Sequence, residues 1–173
     1  MKDHTEKTRH KRQAESLHSG NTQRILETLK DIRQSGQANI LPEVFFMLKN
    51  KPDTEVLQEA LRLIRDLKDE TSVPYLLQAI QDHELQPIRR DLIASCWQNA
   101  LDYHEYLDVF IDIAAEGNYE TAIEALTVIE NSITSVPENE KTQYAQRITD
   151  HLKGKSAEKK RLLETLTDII RES

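Results

Sequence analysis

Apolar residues recur along this chain at helical spacing, and the whole pattern repeats after about 32 residues. Segment 40–48 has the same pattern as segment 72–80, and segment 103–111 follows it more loosely. A second helical stripe comes after each of them, over residues 56–67, 88–100 and 121–133. A period in this range is typical of stacked helix pairs, in which each pair buries its apolar stripes against the next. The pattern therefore predicts an all-α solenoid.

The ends of the chain differ from the repeated part. Residues 1–20 hold five Lys or Arg residues, and Ala14 and Leu17 are almost their only apolar side chains after Met1. Because such a segment cannot bury enough surface to offset its ordering entropy, we expect a flexible charged tail or a loosely docked helix. Residues 21–173 are expected to form one repeat domain, made of a cap helix, three repeats and a pair of C-terminal capping helices, at 21–36, 38–70, 71–102, 103–134 and 139–172.

Composition removes several classes of protein. Only 4 Gly and 5 Pro are present, too few for the many turns of a β-sandwich or barrel. The single cysteine, Cys96, excludes a disulfide within the chain and a cysteine-based zinc site. Residues 1–12 are charged rather than apolar, and no apolar run approaches the roughly 20 residues that span a bilayer. We therefore expect a cytoplasmic protein that does not contact a membrane.

Two of the second helices resemble those of a known repeat family. Residues 56–61, preceded by Asp53, are similar to the second helix of a HEAT repeat. Residues 88–93 are similar to it as well, and Arg89 falls on the arginine that is common in that family.

The first helices add to the resemblance, since Pro42 and Pro74 match the proline often found in the first helix of a HEAT repeat. The resemblance covers about residues 38–134 and, more loosely, 21–172. It implies a right-handed α-α superhelix of about three to five HEAT-like helix pairs that acts as a scaffold, adaptor or binding surface. The third copy lacks both the proline and the arginine, and the repeat is shorter than usual. An armadillo-like or irregular α-α superhelix therefore stays open.

Positive charge is absent from one long stretch of the sequence. No Lys or Arg lies between Arg90 and Lys141, and the 50 residues between them contain 11 acidic residues. Because sequence neighbours remain spatial neighbours in a solenoid, we expect one acidic surface that repels nucleic acid and attracts a basic partner. Glu105, Asp108 and Asp112 recur at helical spacing and mark its expected centre. The alternative is a solvated face that only aids solubility.

Four arginines form a smaller candidate site. Arg62 and Arg65 lie on one second helix, and Arg89 and Arg90 lie on the next. They could form a short ladder for carboxylates or phosphates. The alternative, which we favour slightly, is local pairing with acidic residues three or four positions away, such as Glu59.

Other candidate chemistry is weak. His104 and Asp108 have an acceptable spacing for metal ligands on one helix, but nothing supplies a third ligand, so a surface histidine is the favoured interpretation. Cys96 is expected to be a core residue rather than a nucleophile, because it lies in the middle of a helix. Trp97 is expected in the core, with the anchor of a binding groove as the alternative. The sequence shows no P-loop, GxGxxG or GxSxG motif.

These observations favour a non-catalytic module for protein–protein interaction, a scaffold or adaptor, over an enzyme. The expected partner is a protein with a Lys/Arg-rich segment, and no cofactor, metal or nucleic acid is expected. The residues expected to contact the partner are Arg62, Arg65, Arg89, Arg90, Glu105, Asp108, Asp112, Glu120 and Glu124.

Two alternatives belong to other classes. One is a DNA-binding HEAT-like protein related to the alkylpurine DNA glycosylases, which carry a basic groove. The net charge of −7 disfavours it. The other is a protein similar to the HEAT-like bilin lyases, which would need an apolar cavity near Trp97 and Phe110 to hold a chromophore.

Overall fold

The computed structural model describes residues 2–173, with side chains from Thr5 onward, and the predicted all-α class is confirmed: no strand occurs in this range. The α-helices are α1 (Lys2–Leu17), α2 (Thr22–Ser35), α3 (Leu41–Lys49), α4 (Thr54–Arg65), α5 (Val73–Gln81), α6 (Arg89–Gln98), α7 (Leu107–Glu116), α8 (Tyr119–Ser132), α9 (Glu138–His151) and α10 (Ala157–Glu172). Short 3-10 helices lie at Ala38–Ile40, Glu70–Ser72, His83–Ile88, His104–Tyr106 and Ile133–Ser135.

Local signals fix where several helices begin and end. The side chain of Asn21 accepts a hydrogen bond from the backbone N–H of Arg24 at 2.9 Å and so caps α2. The helix ends at Gly36, whose φ of 64° is a left-handed conformation that glycine adopts without steric cost. Pro42 and Pro74 lie in the first turns of α3 and α5, where no intrahelical hydrogen bond is lost.

The chain divides into two compact units, Met1–Leu101 and Asp102–Ser173. In the first unit the helices pack in two rows: α3 packs on α1 and α5, and α4 packs on α2 and α6. The rows are joined because α1 packs on α2 and α5 packs on α6. Leu29, Ile40 and Ile64 are almost completely buried in this unit. Neighbouring helix pairs thus bury the apolar stripes that the sequence pattern marks.

The second unit consists of two helix hairpins. α7 packs along α8, and α9 packs along α10. The hairpins meet where α9 contacts α7 and α10 contacts α8. Phe110, Ile129, Ile148 and Leu166 are fully buried between these helices.

Residues 2–17, for which the sequence predicts a flexible tail or a loosely docked helix, form α1. Only its C-terminal part is buried, through Gln13, Ser16 and Leu17. Residues 5–9 are exposed. Among the helices of residues 2–173, none combines the length and the apolar character needed to cross a bilayer.

Candidate protein-interaction surface

The four candidate arginines occupy opposite ends of a packed helix pair. Arg62 and Arg65 lie in the last turns of α4, whereas Arg89 and Arg90 begin α6. The side chain of Asn99, just beyond α6, donates a hydrogen bond of 3.5 Å to a backbone carbonyl in the last turn of α4, so the C-terminal ends of the two helices are adjacent. The start of α6 is about 15 Å farther along its axis. The structure therefore does not bring the four arginines into one ladder.

Local pairing accounts for part of the arginine site. Arg62 Nη1 donates to Glu59 Oε2 at 3.1 Å, and Arg33 Nη1, from α2, donates to Glu59 Oε1 at 3.0 Å. The Glu59 side chain is only 4% exposed. Arg33 also reaches Asp66, with Nε 3.3 Å from Oδ2. This buried carboxylate, expected from the sequence as a local partner of the arginines, thus also ties α2 to α4.

The net charge of the protein belongs to the second unit. Residues 1–101 contain 15 basic residues (Lys or Arg) and 15 acidic residues (Asp or Glu). Residues 102–173 contain eight basic and 15 acidic residues. Within the second unit, all ten acidic residues of 102–140 precede the first basic residue, Lys141. The acidic hairpin α7–α8 thus packs on a hairpin, α9–α10, that carries all eight basic residues of the unit.

Part of the acidic hairpin is neutralised by this packing. Asp112, on α7, accepts hydrogen bonds from Arg147 Nε at 2.7 Å and from His151 Nε2 at 3.0 Å, both on α9. Lys159, at the start of α10, donates to the backbone carbonyl oxygens of Ala114 at 2.9 Å and Gly117 at 2.6 Å. These bonds satisfy carbonyl groups at the C-terminal end of α7. Asp112 is therefore a link between two helices rather than the centre of a docking surface.

The contacts between α7 and α9 shift the pKa values of Asp112 and Tyr144. The Arg147 hydrogen bond, followed by that of His151, lowers the pKa of Asp112 below its ordinary value, although partial burial opposes the shift. Burial, together with the nearby carboxylates of Glu140 and Asp108, raises the pKa of Tyr144. Asp108 thus also lies close to the side chains of α9.

The Asp112 contact is expected to stabilise the protein in a pH-dependent way. Because the folded-state pKa of Asp112 lies below its unfolded value, the stabilisation is complete above the unfolded pKa and is lost as the pH falls through the folded pKa. Asp112→Asn should lower the free energy of unfolding by about 1 kcal/mol near neutral pH, since the pair is partly exposed. The difference from the wild-type protein should shrink at acidic pH in urea titrations.

Asp168→Asn provides the matched control for this prediction. Asp168 is an exposed aspartate on α10. Its substitution should change the free energy of unfolding by less than about 0.5 kcal/mol at either pH. A pH-independent loss at Asp112→Asn would show that the carboxylate charge is not what stabilises this contact.

The expected centre of the acidic surface must be corrected. Glu105 lies in the 3-10 helix His104–Tyr106 before α7, so it does not share a helix face with Asp108 and Asp112. The helical spacing of the three residues was misleading because α7 begins only at Leu107.

The exposed face of α8 carries the acidic residues together with large apolar side chains. Its buried residues, among them Ala122, Ala125 and Ile129, pack toward the rest of the unit. The opposite, exposed face of α8 is called the α8 face. It consists of five side chains, those of Tyr119, Glu120, Ile123, Glu124 and Glu130.

The side chains of the α8 face differ in exposure. Tyr119 is 47% exposed and Ile123 is 41% exposed. Glu120 and Glu130 are exposed, and Glu124 is half-buried. The face is about 16 Å long, the rise of eleven residues in an α-helix. Charged residues commonly cover an exposed helix, and here two large apolar side chains, one turn apart, add an apolar contact surface between the carboxylates.

The charge pattern of the sequence points to Glu120 and Glu124 but not to their apolar neighbours Tyr119 and Ile123. The sequence pattern did not single out Ile123, and only the packing of α8 shows that it faces outward.

Two neighbouring residues of α6 have opposite surroundings. Cys96 is buried, as predicted. Trp97, expected in the core, is 40% exposed. The reason is that the buried stripe of α6 consists of Leu92, Ile93, Ser95 and Cys96, and Trp97 lies at the edge of this stripe in the last turn of the helix.

A third exposed aromatic side chain, Phe46 on α3, lies between two cavities of the first unit. One has a volume of about 430 Å³ and is also lined by His18, whose ring packs edge-on to Phe46 at 5.0 Å. The other has a volume of about 150 Å³. Lys49 lines the smaller cavity, and its Nζ lies 3.0 Å from a carboxylate oxygen of Glu84. The positive charge of Lys49 is therefore paired.

The weak metal hypothesis for His104 gains no support from geometry. His104 Nδ1 lies 2.7 Å from Asp102 Oδ2, and His104 belongs to the 3-10 helix rather than to α7 with Asp108. Among the side chains described, those of residues 5–173, no three His, Cys, Asp or Glu are arranged to hold a metal ion.

No model of a known protein family matches this sequence, and no curated protein matches it. The resemblance to HEAT repeats therefore rests on the residues that carry it. What the surfaces can bind has to be argued from their side chains alone.

Proposed function

We propose that the protein is a non-catalytic, HEAT-like interaction module of the cytoplasm, and that its α8 face binds a Lys/Arg-rich segment of a protein partner. The stacking of helix pairs inside the first unit supports a solenoid architecture. The observation that carries the proposal is the combination of Tyr119 and Ile123 with three glutamates on one exposed helix face.

Each component of the α8 face fits a basic segment. Carboxylates form charge-assisted hydrogen bonds with guanidinium and ammonium groups. The ring of Tyr119 offers a surface on which an arginine stacks, and Ile123 offers an apolar contact for an aliphatic side chain or a lysine stem. The net charge of −7 in the second unit steers a basic segment toward it at low salt.

The proposal predicts salt-sensitive binding of a defined probe. A fluorescent synthetic peptide of Lys, Arg and Leu with an amphipathic helical pattern should bind the protein in an anisotropy titration at low salt. Replacing Glu120, Glu124 and Glu130 together by Gln should weaken binding by about three- to 150-fold, since each exposed ion pair contributes roughly 0.2–1 kcal/mol. Circular dichroism should show an unchanged helix content.

The matched control removes three exposed carboxylates from the first unit, by Glu15→Gln, Asp31→Asn and Glu55→Gln. This variant should bind the peptide as the wild-type protein does. Equal weakening by both sets would indicate a general charge effect and would contradict a site on α8. Tighter binding of duplex DNA than of the peptide would favour the DNA-binding alternative.

A further inference from the structure

The N-terminal helix presents a basic segment of the kind that the α8 face is proposed to bind. Between Thr5 and Arg12 the chain has four basic residues, one acidic residue, Glu6, and no apolar side chain. Arg9, Lys11 and Arg12 are exposed. We call residues 5–12 the basic arm.

The basic arm contributes little to the core of the first unit. α1 is held mainly through its last turns, where Leu17 is buried and Ser16 Oγ accepts a hydrogen bond from Arg24 Nε at 3.1 Å. Closer to the arm, the Gln13 side-chain oxygen is buried without a hydrogen-bond partner among the described residues. This unsatisfied atom weakens the packing of the middle of α1 against the rest of the first unit. Within the arm itself, His10 makes an exposed hydrogen bond of 3.2 Å to the Asn39 carbonyl. Substitutions of the exposed arm residues should therefore leave the fold intact.

We propose that the α8 face binds the basic arm of a second copy of this chain. The inference rests on the proposed function and names the source of its basic segment. Charge complementarity supports it, because the arm carries a net charge of +3, whereas all of the net charge of −7 lies in residues 102–173. Two such opposite surfaces on one chain allow a heterologous contact between copies.

The spacing of the charges on the two helices also agrees. Lys7 and Lys11 are four residues apart on α1, and Glu120 and Glu124 are four residues apart on α8. Both spacings correspond to about 6 Å along a helix axis. The arm has no apolar side chain, so the contact with Tyr119 and Ile123 comes from the methylene stems of Lys and Arg and from a guanidinium stacked on the Tyr119 ring.

Sedimentation velocity tests this inference with the full chain. The sedimentation coefficient should rise with protein concentration at about 0.01 M salt, where the Debye length is roughly 30 Å, and not at about 1 M, where it is roughly 3 Å. Reversing the arm, by Arg9→Glu, Lys11→Glu and Arg12→Glu, should raise the dissociation constant about tenfold or more. Reversing the α8 face, by Glu120→Lys, Glu124→Lys and Glu130→Lys, should do the same.

Mixing the two reversed variants gives the sharpest result. Each arm then faces an α8 face of opposite charge, so the mixture should associate more tightly than either variant alone. The matched control reverses three charges outside both surfaces, by Lys30→Glu, Lys68→Glu and Lys160→Glu, all at exposed positions. Its dissociation constant should stay closer to that of the wild-type protein than those of the two reversed variants. If the reversed α8 helix is perturbed in circular dichroism, the corresponding Gln variant replaces it and should also weaken association.

A wild-type protein that stays monomeric at low salt, or a mixture that does not associate, would overturn the inference. The result for the synthetic peptide then separates the two proposals. If the peptide still binds the α8 face, the proposed function stands and only the second copy is the wrong partner. If neither the peptide nor the second copy binds, the proposed function fails as well.

Discussion

Phe110→Ala should lower the free energy of unfolding by about 3–5 kcal/mol, the largest effect that we expect from a single substitution. Phe110 is completely buried in the second unit. Its ring packs edge-on against Tyr103, with the ring centroids 5.6 Å apart and the ring planes at 82°. Alanine would remove both the buried surface and this aromatic contact, and α7 would be left beside a cavity.

Urea unfolding followed by circular dichroism measures this loss, and hydrogen exchange of peptides from residues 102–173 locates it. Phe110→Leu should cost less than alanine, because it keeps most of the volume and loses mainly the ring contact. Phe46→Ala is the matched control, since Phe46 is mostly exposed, and should cost about 1 kcal/mol or less. Similar losses at Phe110 and Phe46 would contradict the core described for the second unit.

Glu59→Gln should lower the free energy of unfolding by about 2 kcal/mol, because an amide replaces a buried carboxylate that accepts hydrogen bonds from two arginines. The amide keeps the shape but places its NH₂ group against one guanidinium donor. Arg62 is 63% exposed, so its guanidinium can turn to water when the carboxylate is removed.

Glu59→Met is expected to be less destabilising than Glu59→Gln. Methionine fills a similar volume, leaves no buried polar group without a partner and avoids the desolvation of a carboxylate. Arg62→Ala is the control for the exposed partner and should cost less than about 1 kcal/mol. Urea titrations of the three variants give the order. A larger loss for Met than for Gln would mean that the ion pair itself, rather than hydrogen-bond satisfaction, stabilises the α2–α4 contact.

The helices and their ends follow from local sequence. Asn21 can cap a helix because its side chain reaches an N–H three residues later, and Gly36 can end it because glycine tolerates a positive φ. Both depend on neighbours within one turn. The spacing of apolar residues likewise predicts which side of α4 is buried, and Ala60, Leu61 and Ile64 are indeed core residues.

The environment of charged side chains depended on residues far away in the sequence. Asp112 seemed to belong to an open acidic surface, yet Arg147, 35 residues later, pairs with it. The sequence suggested only local partners for Glu59, but Arg33, from 26 residues earlier, stabilises it in a buried position. A charge pattern in the sequence shows which side chains are acidic. It does not show which basic side chain contacts each of them in the folded protein.

The sequence by itself determined an all-helical protein, the two ends of α2 and the strongly acidic character of residues 102–140. These properties depend on spacing and composition, which act within a few residues. Only the tertiary structure decided that α9 neutralises Asp112 on α7 while Tyr119 and Ile123 face outward between glutamates on α8. The physical reason is that helix packing selects one side of each amphipathic helix for burial, and the choice depends on helices that are distant in the sequence.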